Sequence, residues 1–95
     1  MKTVNEAYYK KLIQKFGVKN QIIVAIEELS ELQKELCKYL RDKTNIRNIS
    51  EEMADVEIML EQLKIIFENE TPVSIEKNYK LARTYERYLI GVDNE

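Results

Sequence analysis

Residues that break helices are scarce in this chain, and their positions divide it. It contains two glycines and one proline in 95 residues. Gly17 follows a helix-patterned segment from Val4 to about Lys15 and is a natural terminator. Thr71 and Pro72 suit the first turn of a restarted helix, and Gly91 lies where the last helix frays. Between Gly17 and Thr71 only the polar stretch from Asp42 to Arg47 interrupts two apolar-patterned segments. The first, about Lys19 to Arg41, carries a stripe of Ile22, Ile26, Leu29, Leu36 and Leu40 at helical spacing. The second runs through Ile49, Met53, Val56, Leu60, Leu63 and Phe67 to about Glu68. Asn48 or Ser50 can cap it, and Asn48 with Glu51 has the spacing of a capping box. The fourth helix places Leu81, Tyr85, Tyr88 and Leu89 on one face. These elements predict an all-α fold: a four-helix antiparallel bundle, one domain over residues 1–95, small enough to need oligomerisation to complete its core.

Composition removes several functional classes. The net charge is -2 with no basic block, which argues against a nucleic-acid partner. The longest apolar run, Ile22 to Ile26, is far too short to span a bilayer, and the N-terminus carries no signal-peptide pattern. A single cysteine, Cys37, excludes an intrachain disulfide and fits a reducing cytoplasm; its place near the apolar stripe predicts a buried, inert thiol. Histidine is absent altogether. That excludes Ser-His and Cys-His catalysis, most zinc sites and the Glu-x-x-His ligands of di-iron bundles.

Four acids stand out from the 17 in the chain. Glu28 and Glu31 are three apart on the second helix, as are Glu52 and Asp55 on the third, so each pair shares a helix face. Like charges at that spacing repel, and helix stability alone does not favour them. Counting about 100° per residue, Glu52 falls inside the apolar face of its helix and Asp55 at the edge. Glu28 borders Ala25 and Leu32, with Glu31 one step further out, whereas Glu27, Glu51 and Glu57 point away. Burying an ionised carboxylate without a partner costs several kcal/mol, roughly, so an acid in a core stripe needs a reason. The two helices are joined by a short connection and pack antiparallel, and the chain lengths on either side let the acid pairs meet at one height. A divalent cation such as Mg²⁺, which takes carboxylate and water oxygens and substrate phosphates, supplies the reason. Solvated acids paired with Lys34, Lys38 or Lys64 are the plainer alternative.

Glu27-Glu28-x-x-Glu31 followed by Glu52-x-x-Asp55 resembles the signature of the MazG-type, all-α nucleoside triphosphate pyrophosphohydrolases. The segment Asn78-Tyr79-Lys80-Leu81-Ala82-Arg83-Thr84-Tyr85 is similar to the family's later Asn-x-Lys-aromatic-x-Arg-Arg-aromatic segment, with Leu81 in place of an aromatic and Thr84 in place of the second Arg. The resemblance implies Mg²⁺-dependent hydrolysis of a nucleoside triphosphate, a dNTP or non-canonical NTP, to the monophosphate and pyrophosphate; Mn²⁺ can stand in. It implies Glu28, Glu31, Glu52 and Asp55 as metal ligands, Glu27 or Glu31 as the group that takes a proton from water, and Asn78, Lys80 and Arg83 toward the substrate. Asn78 is expected within the packed face of the last helix, contacting base or sugar or tying helices together, and Lys80 at its boundary. For Arg83 and Arg87 a phosphate clamp and a surface salt bridge stay open.

The run Ile22-Ile23-Val24-Ala25-Ile26 is apolar around the whole helix, which in so small a domain predicts a neighbouring copy. Family members similar to this one assemble as dimers or dimers of dimers, so a homodimer or homotetramer is expected. The six tyrosines suit bundle packing or an interface, and any of them could stack on a base. A phosphoribosyl-ATP pyrophosphohydrolase-like enzyme has a similar acid signature. A non-catalytic helical interaction module is the rival from another class, and it leaves Glu52 unexplained.

Overall fold

The computed structural model describes residues 4–42 and 44–90. Four helices follow one another: α1 (Val4–Phe16), α2 (Val18–Asp42), α3 (Ile46–Phe67) and α4 (Glu70–Tyr88), with no strand among the described residues. None of them is long and apolar enough to cross a membrane.

Gly17 separates α1 from α2 at φ +92°, a left-handed conformation that a side chain disfavours. Its N–H donates to the Ile13 carbonyl at 2.8 Å while its own carbonyl accepts from Gln21 at 3.1 Å, so a single residue closes one helix and opens the next. Asn20 Nδ2 adds a bond to the Phe16 carbonyl at 2.8 Å. The α2–α3 connection is tied by an Asx turn, in which the Thr44 N–H donates to Asp42 Oδ1 at 3.0 Å. α3 then starts earlier than its capping signals suggest. Asn45 holds the cap position by backbone, so Asn48 and Ser50 lie inside the helix, and Ser50 Oγ donates to the Ile46 carbonyl at 2.9 Å instead of capping. The Asn45 side chain is drawn back to α2, where Nδ2 donates to Glu35 Oε1 at 2.7 Å and to the Glu35 carbonyl at 3.0 Å.

α2 and α3 form the main packed pair, with α1 laid across both. Tyr9, Ala25, Val56 and Met59 are the buried apolar side chains, and Gln21, Glu35 and Gln62 are buried among them. Gln21 Nε2 donates to Gln62 Oε1 at 2.7 Å, and Gln62 Nε2 in turn reaches Met59 Sδ at 3.7 Å. The apolar stripe expected to pack inward on α2 does not. Ile26 is 58% exposed, Leu40 is 77% exposed, and Leu29 and Leu36 are exposed as well. The face turned to α3 is Gln21, Ala25, Glu28, Leu32, Glu35 and Tyr39, all buried or half-buried. Cys37, expected to be buried with the stripe, is an exposed free thiol for the same reason.

Glu68 ends α3 at φ 50°, in the left-handed region. Its N–H donates to the Ile65 carbonyl and the Asn69 N–H to the Lys64 carbonyl, the two bonds of a Schellman motif. α4 begins directly after it, with Pro72 in the first turn as expected. No residue of α4 is buried. Asn78, expected within a packed face, is therefore exposed, as is Lys80. Gly91, where fraying was expected, lies outside the described residues. The helices are thus four and their packing bundle-like, but in one chain α4 stands away from the others. The Cα radius of gyration is 17.1 Å, against about 12 Å for a compact chain of this length.

The Gln21–Gln62 bond carries a first prediction. Gln62→Ala strands the Gln21 amide in a buried site and should destabilise the protein by about 1–3 kcal/mol. Replacing both glutamines by leucine should cost much less, because no polar group is left unpaired. Urea unfolding of the two variants checks this; equal losses would refute it.

Candidate metal centre

The pairing of α2 with α3 places polar residues opposite one another at regular heights. Gln21 meets Gln62, and seven residues further along each helix, about two turns, Glu28 meets Asp55. Glu52 lies one turn beyond Asp55 on the same face. One carboxylate oxygen from each of Glu28, Glu52 and Asp55 falls within 4.8 Å of the others, and all three residues are half-buried.

The electrostatics of this cluster are unfavourable by themselves. Burial pushes the Glu28 carboxyl up to about 7; the hydrogen bond with Asp55 and the charges of Asp55, Glu52 and Glu31 push the same way. Glu52 is also raised, first by burial and then by the charges of Asp55, Glu31, Glu35 and Glu51. Among the described residues no ion pair reaches Glu28, Glu52 or Asp55. The ion pairs Lys10–Glu6, Lys38–Glu35 and Arg47–Glu51 all lie elsewhere. Glu52 Oε2 is buried without a hydrogen-bond partner. A buried, unpaired carboxylate oxygen beside two further carboxylates is the donor set a hard divalent cation takes, with positions left for water and phosphate oxygens. The residues fit Mg²⁺ or Mn²⁺.

Other sequence-selected residues are placed differently. Glu31 is exposed at the rim and outside the three-oxygen group, acting on Glu28 and Glu52 through its charge. Glu27 is exposed, in keeping with its outward position on the helix. Asn78, Lys80 and Arg83 are exposed on α4; the Arg83 guanidinium lies 5.5 Å from the Tyr79 ring centre. Lys80 lines a shallow depression with Asn69, Val73 and Lys77, and does not meet the acids within its own chain. Glu35 is a participant that pattern-reading of acid pairs passes over. It is 8% exposed, held by Asn45 and by Lys38 Nζ at 3.8 Å, and its charge bears on Glu52. Its signal in the sequence is its spacing of seven from Glu28, which sets both on the face toward α3.

A cavity of about 600 Å³ lies between α1, the end of α3 and the start of α4. Its α3 residues Glu61 and Lys64 project away from Glu52 and Asp55, at about 100° per residue. There the Tyr9 hydroxyl donates to Glu61, whose charge, with burial, raises the phenol further. Comparison with family models, curated proteins and solved structures finds no match for this chain.

The raised Glu28 carboxyl gives a pH dependence of definite sign. A carboxyl that holds its proton more tightly when folded contributes stability below its ordinary range near 4.5, and this contribution is lost as pH rises through about 7. In EDTA the protein should therefore become less stable from pH 5 to pH 8, and Glu28→Gln should flatten that slope. Millimolar Mg²⁺ should restore stability at the alkaline end. Thermal melts across that range decide the matter; an unchanged slope in Glu28→Gln would sink it.

Proposed function

We propose that this chain is a MazG-like, Mg²⁺-dependent nucleoside triphosphate pyrophosphohydrolase, releasing nucleoside monophosphate and pyrophosphate from a dNTP or non-canonical NTP. The observation that carries the reading is the convergence of Glu28, Glu52 and Asp55 from two helices, with Glu52 Oε2 buried and unpaired. Each pair lies in a Glu-x-x-acid segment of the kind whose spacing led to the expectation.

In this reading Glu28, Glu52 and Asp55 would hold the ion from the α2–α3 interface, with Glu31 as a further ligand. The ion, Mg²⁺ or Mn²⁺, offsets phosphate charge and makes a nearby water more acidic. Glu31, exposed beside the cluster, would take the water's proton; Glu27 is the alternative on the same turn. Attack at the α-phosphorus forms one P–O bond and breaks the bond to the β-phosphate bridge, so pyrophosphate leaves intact. No protein nucleophile is required, which suits a chain without histidine. Asn78, Lys80 and Arg83 are the proposed substrate contacts. Because α4 is open in the single chain, the same proposal includes a homodimer or homotetramer. A reducing, cytoplasmic setting accompanies it, resting on the lone free cysteine.

Incubation with canonical and modified NTPs and dNTPs in Mg²⁺, scored for pyrophosphate against orthophosphate, tests the reading. Pyrophosphate with monophosphate is the expected product pair. Glu52→Gln, which removes a charged ligand while preserving shape, should abolish turnover with helicity retained. Stepwise orthophosphate release, or full activity in excess EDTA, would reject the proposal.

A further inference from the structure

The acid cluster lies between two hydrogen-bonded cross-links, and each link is seven residues away. On α2, Gln21, Glu28 and Glu35 stand seven apart; on α3, Asn45 is seven before Glu52 and Gln62 is seven after Asp55. Seven residues turn a helix through about 700°, so residues at this spacing share a face to within about 20°. Gln21–Gln62 thus lies about two turns to one side, in line with Glu28 and Asp55. Glu35–Asn45 lies about two turns to the other, in line with Glu28 and Glu52.

The Glu35–Asn45 link is made at a local cost. Asn45 holds the cap position of α3, where an Asn side chain ordinarily accepts from the N–H groups of the first turn. It makes no such bond. Instead its Nδ2 donates twice to one residue, to Glu35 Oε1 at 2.7 Å and to the Glu35 carbonyl at 3.0 Å. Its Oδ1 is left buried with no partner. Attachment to both side chain and backbone fixes Asn45 in direction and in height. Glu35 is fixed in turn, being 8% exposed and with its other oxygen 3.8 Å from Lys38 Nζ. The Asn45 carbonyl accepts from the Ile49 N–H at 3.0 Å, so the clamped residue is also the first acceptor of α3. A rotation set there is carried along the helix to Glu52.

We infer that Glu35 and Asn45 are positioning residues for the cation site. Their clamp sets the height and rotation of the first two turns of α3 and so holds the Glu52 carboxylate toward Glu28 and Asp55. Neither belongs to the three-oxygen group; they act on a cation through Glu52. Partners that orient metal ligands in this way govern affinity by roughly 10–100-fold. The inference rests on reading Glu28, Glu52 and Asp55 as a cation site, and it adds the residues that preorganise that site.

Asn45→Asp separates positioning from helix capping and from charge. Asp caps a helix about as well as Asn, so a role confined to the helix start predicts unchanged binding. An added carboxylate near the cluster attracts a cation, so charge alone predicts tighter binding. Positioning predicts the opposite, because the introduced carboxylate has no N–H to donate and repels Glu35. Mn²⁺ affinity of the full chain, measured at fixed pH by electron paramagnetic resonance of the free ion, should fall roughly tenfold or more. Adding Glu35→Gln to Asn45→Asp sets a donor amide against the carboxylate at the net charge of the wild-type pair. This double variant should recover most of the lost affinity. Glu35→Gln alone should lose far less than Asn45→Asp, since its amide oxygen still accepts from Asn45. Arg47→Ala, which removes the exposed Arg47–Glu51 pair from the start of the same helix, should bind as wild type does. Asn45→Ser, also a good cap but too short to keep both bonds, should lose affinity likewise and carries the test if Asn45→Asp fails to fold.

Circular dichroism checks that helicity is retained throughout. Unchanged or tighter Mn²⁺ binding by Asn45→Asp, or no recovery in the double variant, would overturn the inference and leave the cation site standing. A wild type that binds no Mn²⁺ would overturn both. Clamp-dependent Mn²⁺ binding without release of pyrophosphate would support this inference and sink the hydrolysis proposal alone.

Discussion

The polar pairing along the α2–α3 interface governs this molecule. Three contacts at intervals of about two helical turns, Gln21–Gln62, Glu28–Asp55 and Glu35–Asn45, set the height at which the helices meet. Apolar packing alone tolerates slippage, because one leucine replaces another at small cost. A buried amide or carboxylate does not, since losing its partner costs about 1–3 kcal/mol or more. The short connection from Asp42 to Asn45 adds a local constraint by returning the Asn45 amide to Glu35. Register and acid convergence are therefore one feature: the contacts that align the helices also bring Glu28 to Asp55.

That alignment has an electrostatic cost. Glu28 and Glu52, half-buried beside other carboxylates, are both raised, and Glu52 keeps an oxygen with no donor. The surrounding chain includes lysines that could have neutralised the cluster, yet Lys38 is directed to Glu35 and Arg47 to Glu51. Among the described residues, charge is therefore paired at Lys38–Glu35 on α2 and at Arg47–Glu51 on α3, and left unpaired at the cluster. Local repulsion held in place by register is the physical basis for reading the cluster as a cation site.

Helix number and order are legible in the sequence because Gly17, the polar connection after Asp42 and Pro72 act through local backbone rules. The start of α3 is less so: Asn45, not Asn48 or Ser50, takes the cap position, because a contact ten residues back competes for its side chain. The three convergent acids can be selected from helical spacing, since antiparallel pairing of adjacent helices follows from a short connection. What spacing could not give is the inward face of α2. Ile22, Ile26, Leu29, Leu36 and Leu40 have the stronger apolar pattern, while Gln21, Ala25, Glu28, Leu32, Glu35 and Tyr39 make the intrachain contacts. Periodicity marks an apolar face and is silent about which face the neighbouring helix takes.

This separation of faces explains how so short a chain can carry a charged interior. A lone 95-residue domain has little apolar burial to spare, and one that packs carboxylates and amides between its main helices has less. The larger apolar stripe of α2 lies on the outside of the chain, and the α2–α3 interface holds polar groups in register instead. A more apolar α2–α3 interface would stabilise the single chain and dissolve the carboxylate site. Both stripes must therefore run along one helix, about a quarter-turn to a third of a turn apart, and α2 at 25 residues is the longest element of the chain.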